Sequence, residues 1–199
     1  MGLRDILTGR HEVKGPAPDR LFAITTAYVT LEAEHQISPA GKAAIVFQAL
    51  ATSEFEATIK EMEEVVKATG GESGTTVATQ DDSYGYRWMV LGNSSGAASI
   101  EDLAVGINAV SGSIETAGHG DRLLCAVFAF NDDRPGASSR PIYFIYNYKR
   151  GYWYPFVPDP SGKQERQTER ELQIKAQMST ELPIEPELER WFPLWGIPI

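Results

Sequence analysis

The stretch that decides the fold is "YNYKRGYWYPFVP", residues 146 to 158, which holds five tyrosine and tryptophan rings, Phe156, and two cations. Preceded by "PIYFIY" (141–146), it divides into two apolar runs, "PIYFIYNY" and "YWYPFV", around Lys149-Arg150-Gly151. Two such runs flanking a short turn read as a β-hairpin, with Gly151 supplying the positive φ the turn needs. Strand residues alternate between faces, so about half of these rings belong in a core and the rest on a rim. Tyr, Trp and Arg are also common anchors of protein interfaces. The rim therefore nominates Arg150, Tyr152, Trp153 and Tyr154 as partner-binding candidates wherever they are exposed.

Working outward, "LLCAVFAF" (123–130) is apolar on both faces, as a central strand would be. "TTVATQ" (75–80) and "YGYRWMVL" (84–91) read as two more strands, with Tyr84, Tyr86, Trp88 and Val90 alternating along the second. "AAIVFQAL" (43–50) reads as a strand entered from a turn at Pro39–Gly41. Residues 20 to 34 mix helical spacing (Leu21, Ile24, Tyr28, Leu31) with β-branched residues, and the helix reading is preferred. Ser53 followed by Glu56 has the form of a capping box ahead of the stripe Phe55, Ile59, Met62 and Val66. Ser99 opens a second helix with the stripe Ile100, Leu103, Ile107, Val110 and Ile114, stopped by Gly118 and Gly120. A polar helix is read over "SGKQERQTERELQIKAQM" (161–178), and prolines then break up the end of the chain.

Hairpins outnumber strand–helix–strand crossovers, so the expected fold is α+β, a mainly antiparallel sheet packed by helices. The expected organisation is a short helix and linker over 1–19, then one domain over 20–199. The element order also resembles type III secretion chaperone-like folds, which bind protein segments.

Composition narrows the function. Twenty-seven acids against 18 bases give a net charge of −9, a surface that repels phosphate backbones and disfavours nucleic acid. Cys125 is the one cysteine and lies in an apolar run, so it reads as a buried hydrophobe. Three scattered histidines and a single cysteine give no zinc pattern, and no metal or cofactor is expected. The paired aspartates of "QDDS" and "NDDR" read as turn residues at strand ends rather than as a Mg²⁺ or acid–base pair. "GGESGTT" lacks the lysine ending of a phosphate loop.

Gly92-Asn93-Ser94-Ser95-Gly96 matches the nucleophile-elbow pattern, making a small serine hydrolase using Ser94 one alternative. Only His119 follows it, and the next helix begins too late for a tight elbow. A small-ligand sensor with a pocket beneath the C-terminal segment is the other alternative. That segment, "RWFPLWGIPI" (190–199), is expected to fold back over the domain, since exposed it would aggregate. Trp191 and Trp195 are its partner-binding candidates. No run reaches the ~20 apolar residues of a membrane span, and no secretory block opens the sequence, so a cytoplasmic location is expected. Leu3, Ile6 and Leu7 with Arg4 and Arg10 allow at most weak peripheral membrane contact through residues 1–10.

Three blocks, "MGLRDILTGR", "YKRGYWYPFVP" and "LPIEPELERWFPLWGIP", together resemble the phage-shock-protein-A-associated family PspAB. The resemblance implies a genetic association with a PspA-type membrane-remodelling protein, with companion PspA-associated proteins and, in some cases, with an HtpX-type membrane protease. It carries over no catalytic residues. The resulting expectation is a non-enzymatic adaptor of a PspA-type envelope-stress system, acting through protein contacts.

Overall fold

The computed structural model describes residues 19–69, 75–93, 98–137, 140–161 and 163–199. Residues 1–10, with their proposed membrane contact, lie outside that set, as does Ser94. The elements run α1 (Asp19–Phe22), α2 (Ile24–His35), β1 (Ile37–Gln48), α3 (Ser53–Thr69), β2 (Thr75–Asp81), β3 (Tyr86–Asn93), α4 (Ile100–Thr116), β4 (Leu123–Asp132), β5 (Arg140–Asn147), β6 (Tyr152–Phe156) and α5 (Thr168–Met178). The six strands form one open antiparallel sheet in the order β2-β3-β1-β4-β5-β6. The fold is α+β in a single domain, as the hairpin count requires.

Register shows what each face carries. Met89, Ile45, Ala126, Tyr146 and Trp153 are successive cross-strand partners, and Leu91, Ala43, Phe128 and Phe144 form the next row on the same face. This face is covered by α2 and α4 on β1, with α3 against β2 and α4. Trp153 is fully buried there, its ring 5.6 Å from that of Phe128 and 5.1 Å from that of Tyr146. The helices sit here because their apolar stripes match it: Ile100, Leu103, Ile107, Val110 and Ile114 of α4 are all buried.

Trp88, Val46, Cys125, Asn147 and Tyr152 form one row of the opposite face, and Val90, Ala44, Val127, Ile145 and Tyr154 the next. Among the described residues no helix layer covers the β3–β1–β4 part of this side. The C-terminal segment covers the β5–β6 half: Trp191 stacks on Tyr154 at 6.2 Å and Trp195 packs edge-on to Phe156 at 5.1 Å. It therefore folds back, for the reason its composition gave. Two hydroxyls fix it, Tyr154 donating to the Phe192 carbonyl (3.0 Å) and Tyr143 to that of Ile199 (3.1 Å). The Arg166 guanidinium adds a third anchor, donating to the Trp191 carbonyl at 2.6 Å.

The β6 edge is closed by residues 183–185. Trp153 N–H donates to Pro183 O and Glu185 N–H to Trp153 O, which removes an unpaired edge that would template association.

Three local expectations are corrected. Pro39–Gly41 is no turn: β1 starts at Ile37 and runs through it, absorbing the irregularity as a register shift against β4, with Gly41 at φ 67°. Thr52, not Ser53, caps α3; its Oγ1 accepts from Phe55 N–H at 3.3 Å, while Ser53 is already helical. The last helix begins only at Thr168, because Gln167 N–H and Asp159 N–H are taken by Val157 O and Glu165 O in a loop that folds against β6. Ser99 caps α4 as read, accepting from Asp102 N–H at 3.0 Å. Gly151 has φ 68°, as the hairpin demands.

Candidate functional site

Where the C-terminal segment stops short of β3, the uncovered half of the sheet becomes the floor of a groove of about 520 Å³. Trp88, Val46, Cys125 and Tyr154 form that floor, and all four are buried. One wall is the β2–β3 turn with Asp82, Tyr84 and Tyr86; the other is Phe192-Pro193-Leu194-Trp195. Leu124, Asn147 and Lys149 close one end.

The turn wall is built by Asp82. Its Oδ1 accepts from the N–H groups of Tyr84 (2.8 Å) and Tyr86 (2.9 Å), and its Oδ2 from Trp88 Nε1 (3.0 Å). Gly85 at φ 84° lets the chain reverse. "QDDS" is thus a turn, with Asp81 ion-paired to Arg87 at 2.6 Å. "NDDR" holds a buried pair instead: Asp132 meets Arg134 at 2.7 Å and Arg170 at 3.4 Å. Among the described residues no group of three or more His, Cys, Asp or Glu is placed to hold a metal ion.

The rings that rim the groove are unusually open. Tyr84 is 68% exposed, Phe192 58% and Tyr86 38%. Large apolar side chains gathered and exposed around a concave floor are the mark of a binding surface. The interior chemistry is neutral. Burial pushes the Cys125 thiol up to about 12, so it stays protonated at neutral pH and is a poor nucleophile. Burial likewise raises the Tyr154 phenol, which is a neutral donor to Phe192 O.

Of the six nominated residues, the groove brings together Tyr154, in its floor, and Trp195, in its wall. Trp153 faces the helices and donates Nε1–H to Arg20 O at 2.7 Å, so it has no surface to offer a partner. Trp191 is buried, stacked on Tyr154, with its indole N–H on Glu185 O. Arg150 is held by Glu185 (2.7 Å) and Glu187 (3.2 Å). Tyr152 lies half-buried between the guanidiniums of Arg20 and Arg150, at 5.1 and 5.9 Å. His119 packs edge-on against Phe55 of α3, in the helix layer. The β5–β6 hairpin therefore lies mostly in the protein interior, with Asn147, Lys149 and Tyr154 reaching the groove.

Sequence reasoning missed Tyr84, Tyr86, Trp88, Asn147, Lys149 and Phe192. The alternation of Tyr84, Tyr86 and Trp88 placed three rings on one face, which was the available signal; nothing local said that no helix would cover that face.

Among the described residues no helix is long and apolar enough to cross a membrane. Comparison with curated proteins gives no match, and comparison with solved structures gives none either, so the likeness to secretion-chaperone folds rests on element order alone. The family model of PspAB, PspA associated protein B, matches residues 1–199, and the chain belongs to that family.

Proposed function

We propose that this protein is a non-enzymatic adaptor of a PspA-linked system, working in the cytoplasm and docking a segment of a partner protein in the aromatic groove. One observation carries the reading: Tyr84, Tyr86 and Phe192 are held exposed around an apolar floor although each would be more stable buried. The family name supports a link to PspA and makes a PspA-type protein the first partner to test. The neutral thiol and phenol in the floor agree with a recognition role, since neither is prepared as a nucleophile. Arg150, Trp153 and Trp191 support the groove from behind rather than touching the partner.

The test is titration calorimetry of the full chain with the purified PspA-type protein of the same organism. Wild type should bind, and the Tyr84→Ala/Phe192→Ala double variant should bind at least about tenfold more weakly with an unchanged melting temperature, because interface aromatics are typical hot spots. No binding by wild type, or undiminished binding by the variant, would refute the docking site.

A groove of about 520 Å³ also has the size of a small-molecule site, which favours a ligand sensor as the second reading. Native mass spectrometry of protein purified from its host, revealing a stoichiometric small molecule, would decide for it.

A further inference from the structure

Most of the groove's polar groups are paired: Trp88 Nε1–H donates to Asp82 and the Tyr154 hydroxyl to Phe192 O. The Asp82 carboxylate already receives three N–H donors, from Tyr84, Tyr86 and Trp88. At the closed end, Asn147 Oδ1 accepts from the N–H groups of Lys149 (3.0 Å) and Arg150 (3.3 Å). That pins the amide with Oδ1 inward to the turn, and among the described residues its Nδ2 has no partner. Arg150 is neutralised by Glu185 and Glu187, but exposed Lys149 has no ion pair among the described residues. An ammonium and an amide N–H₂ thus both line the groove beside its apolar floor, neither with a side-chain acceptor among the described residues.

We infer that the groove selects a protein segment carrying large apolar side chains next to an aspartate or glutamate, with the rings taking the apolar side chains and Lys149 and Asn147 taking the carboxylate. This rests on the docking reading above. A carboxylate is the acceptor that matches both donors at once, and hydrogen bonds to a charged acceptor are the stronger kind. The chain's overall negative charge opposes an acidic segment at long range. At physiological salt that repulsion is screened beyond about 8 Å, while the contact at Lys149 acts within it.

The probes are three peptides, acetyl-Gly-Phe-Leu-Glu-Gly-amide and its versions with Gln or Lys in place of Glu, titrated into the full chain. Trp88 and Trp195 line the groove and report by fluorescence. The Glu peptide should bind best and the Lys peptide about tenfold more weakly, with the Gln peptide between them. Lys149→Glu, an exposed change that leaves the core alone, should invert that order, and Trp195→Ala should weaken all three. Raising salt from 0.05 to 0.5 M should shrink the Glu preference. Equal affinities, an order unmoved by Lys149→Glu, or no binding of any peptide would overturn the inference. The docking reading fails separately: a PspA-type protein whose binding needs Tyr84 and Phe192 but ignores Lys149→Glu would remove only the acidic preference. Glu-peptide selectivity without any PspA binding would remove only the adaptor.

Discussion

Replacing Trp153 by alanine should unfold this protein well before it affects recognition. The indole is fully buried, packs on Phe128 and Tyr146, and donates to Arg20 O across to α1. Removing so large a buried ring typically costs about 3–5 kcal/mol, from lost transfer energy and the cavity left behind. For a domain of 199 residues each kcal/mol lowers the melting temperature by roughly 2–4 °C, which gives a drop of about 6–20 °C. Trp153→Phe separates the two components. It keeps most of the ring but loses the part-buried hydrogen bond to the Arg20 carbonyl, a net contribution of about 0.5–1.5 kcal/mol. Urea denaturation followed by circular dichroism measures both variants. Binding measured below the lowered midpoint should match wild type, since the ring faces the helices. A loss under about 1 kcal/mol for Trp153→Ala would refute the placement of this ring in the core, and normal stability with abolished binding would return it to the surface.

Two further outcomes follow from the buried charges and the hairpin turn. Burial pushes the Asp132 carboxyl up, but the Arg134 hydrogen bond and the Arg170 charge outweigh it and hold the group below the usual carboxylate range. The stability this gives is complete above the unfolded aspartate value of about 3.9 and is lost as pH falls through the lower folded value. Asp132→Asn should therefore lose about 3–5 kcal/mol at pH 7, since it leaves Arg170 buried without its anion, and its urea midpoint should fall less steeply than wild type below about pH 4; parallel curves would contradict this. Gly151→Ala forces an L side chain to φ 68° and should cost about 1–2 kcal/mol in urea melts, with Gly151→Asn milder; an unchanged midpoint would mean the turn adopts another conformation.

The elements with strong local signals were legible. Alternating rings around Gly151, the α4 stripe with its Ser99 cap, and the all-apolar β4 each state their own conformation. Legibility failed where a neighbour decides. Pro39 and Gly41 carry turn chemistry, yet pairing with β4 on both sides of them carries β1 through. Ser53 and Thr52 are both able caps, and the chain direction entering α3 picks the second. Trp153 and Tyr154 adjoin in sequence and look equally suited to a rim, yet the pleat sends one to the helices and the other to the groove floor.

Hydrophobic periodicity, turn residues and a count of hairpins were enough to determine an α+β architecture, an antiparallel sheet and a C-terminal segment that must fold back, because each depends on interactions within a few residues or on burying apolar area. The groove was decided only by tertiary structure. It exists because the C-terminal segment covers the β5–β6 half of one sheet face and leaves Trp88, Val46 and Cys125 beside it. The length of sheet covered depends on hydrogen bonds between residues 25, 38 and 56 positions apart, which no local pattern encodes. The same long-range pairing sequesters Arg150 on Glu185, while its neighbour Lys149 has no ion pair among the described residues.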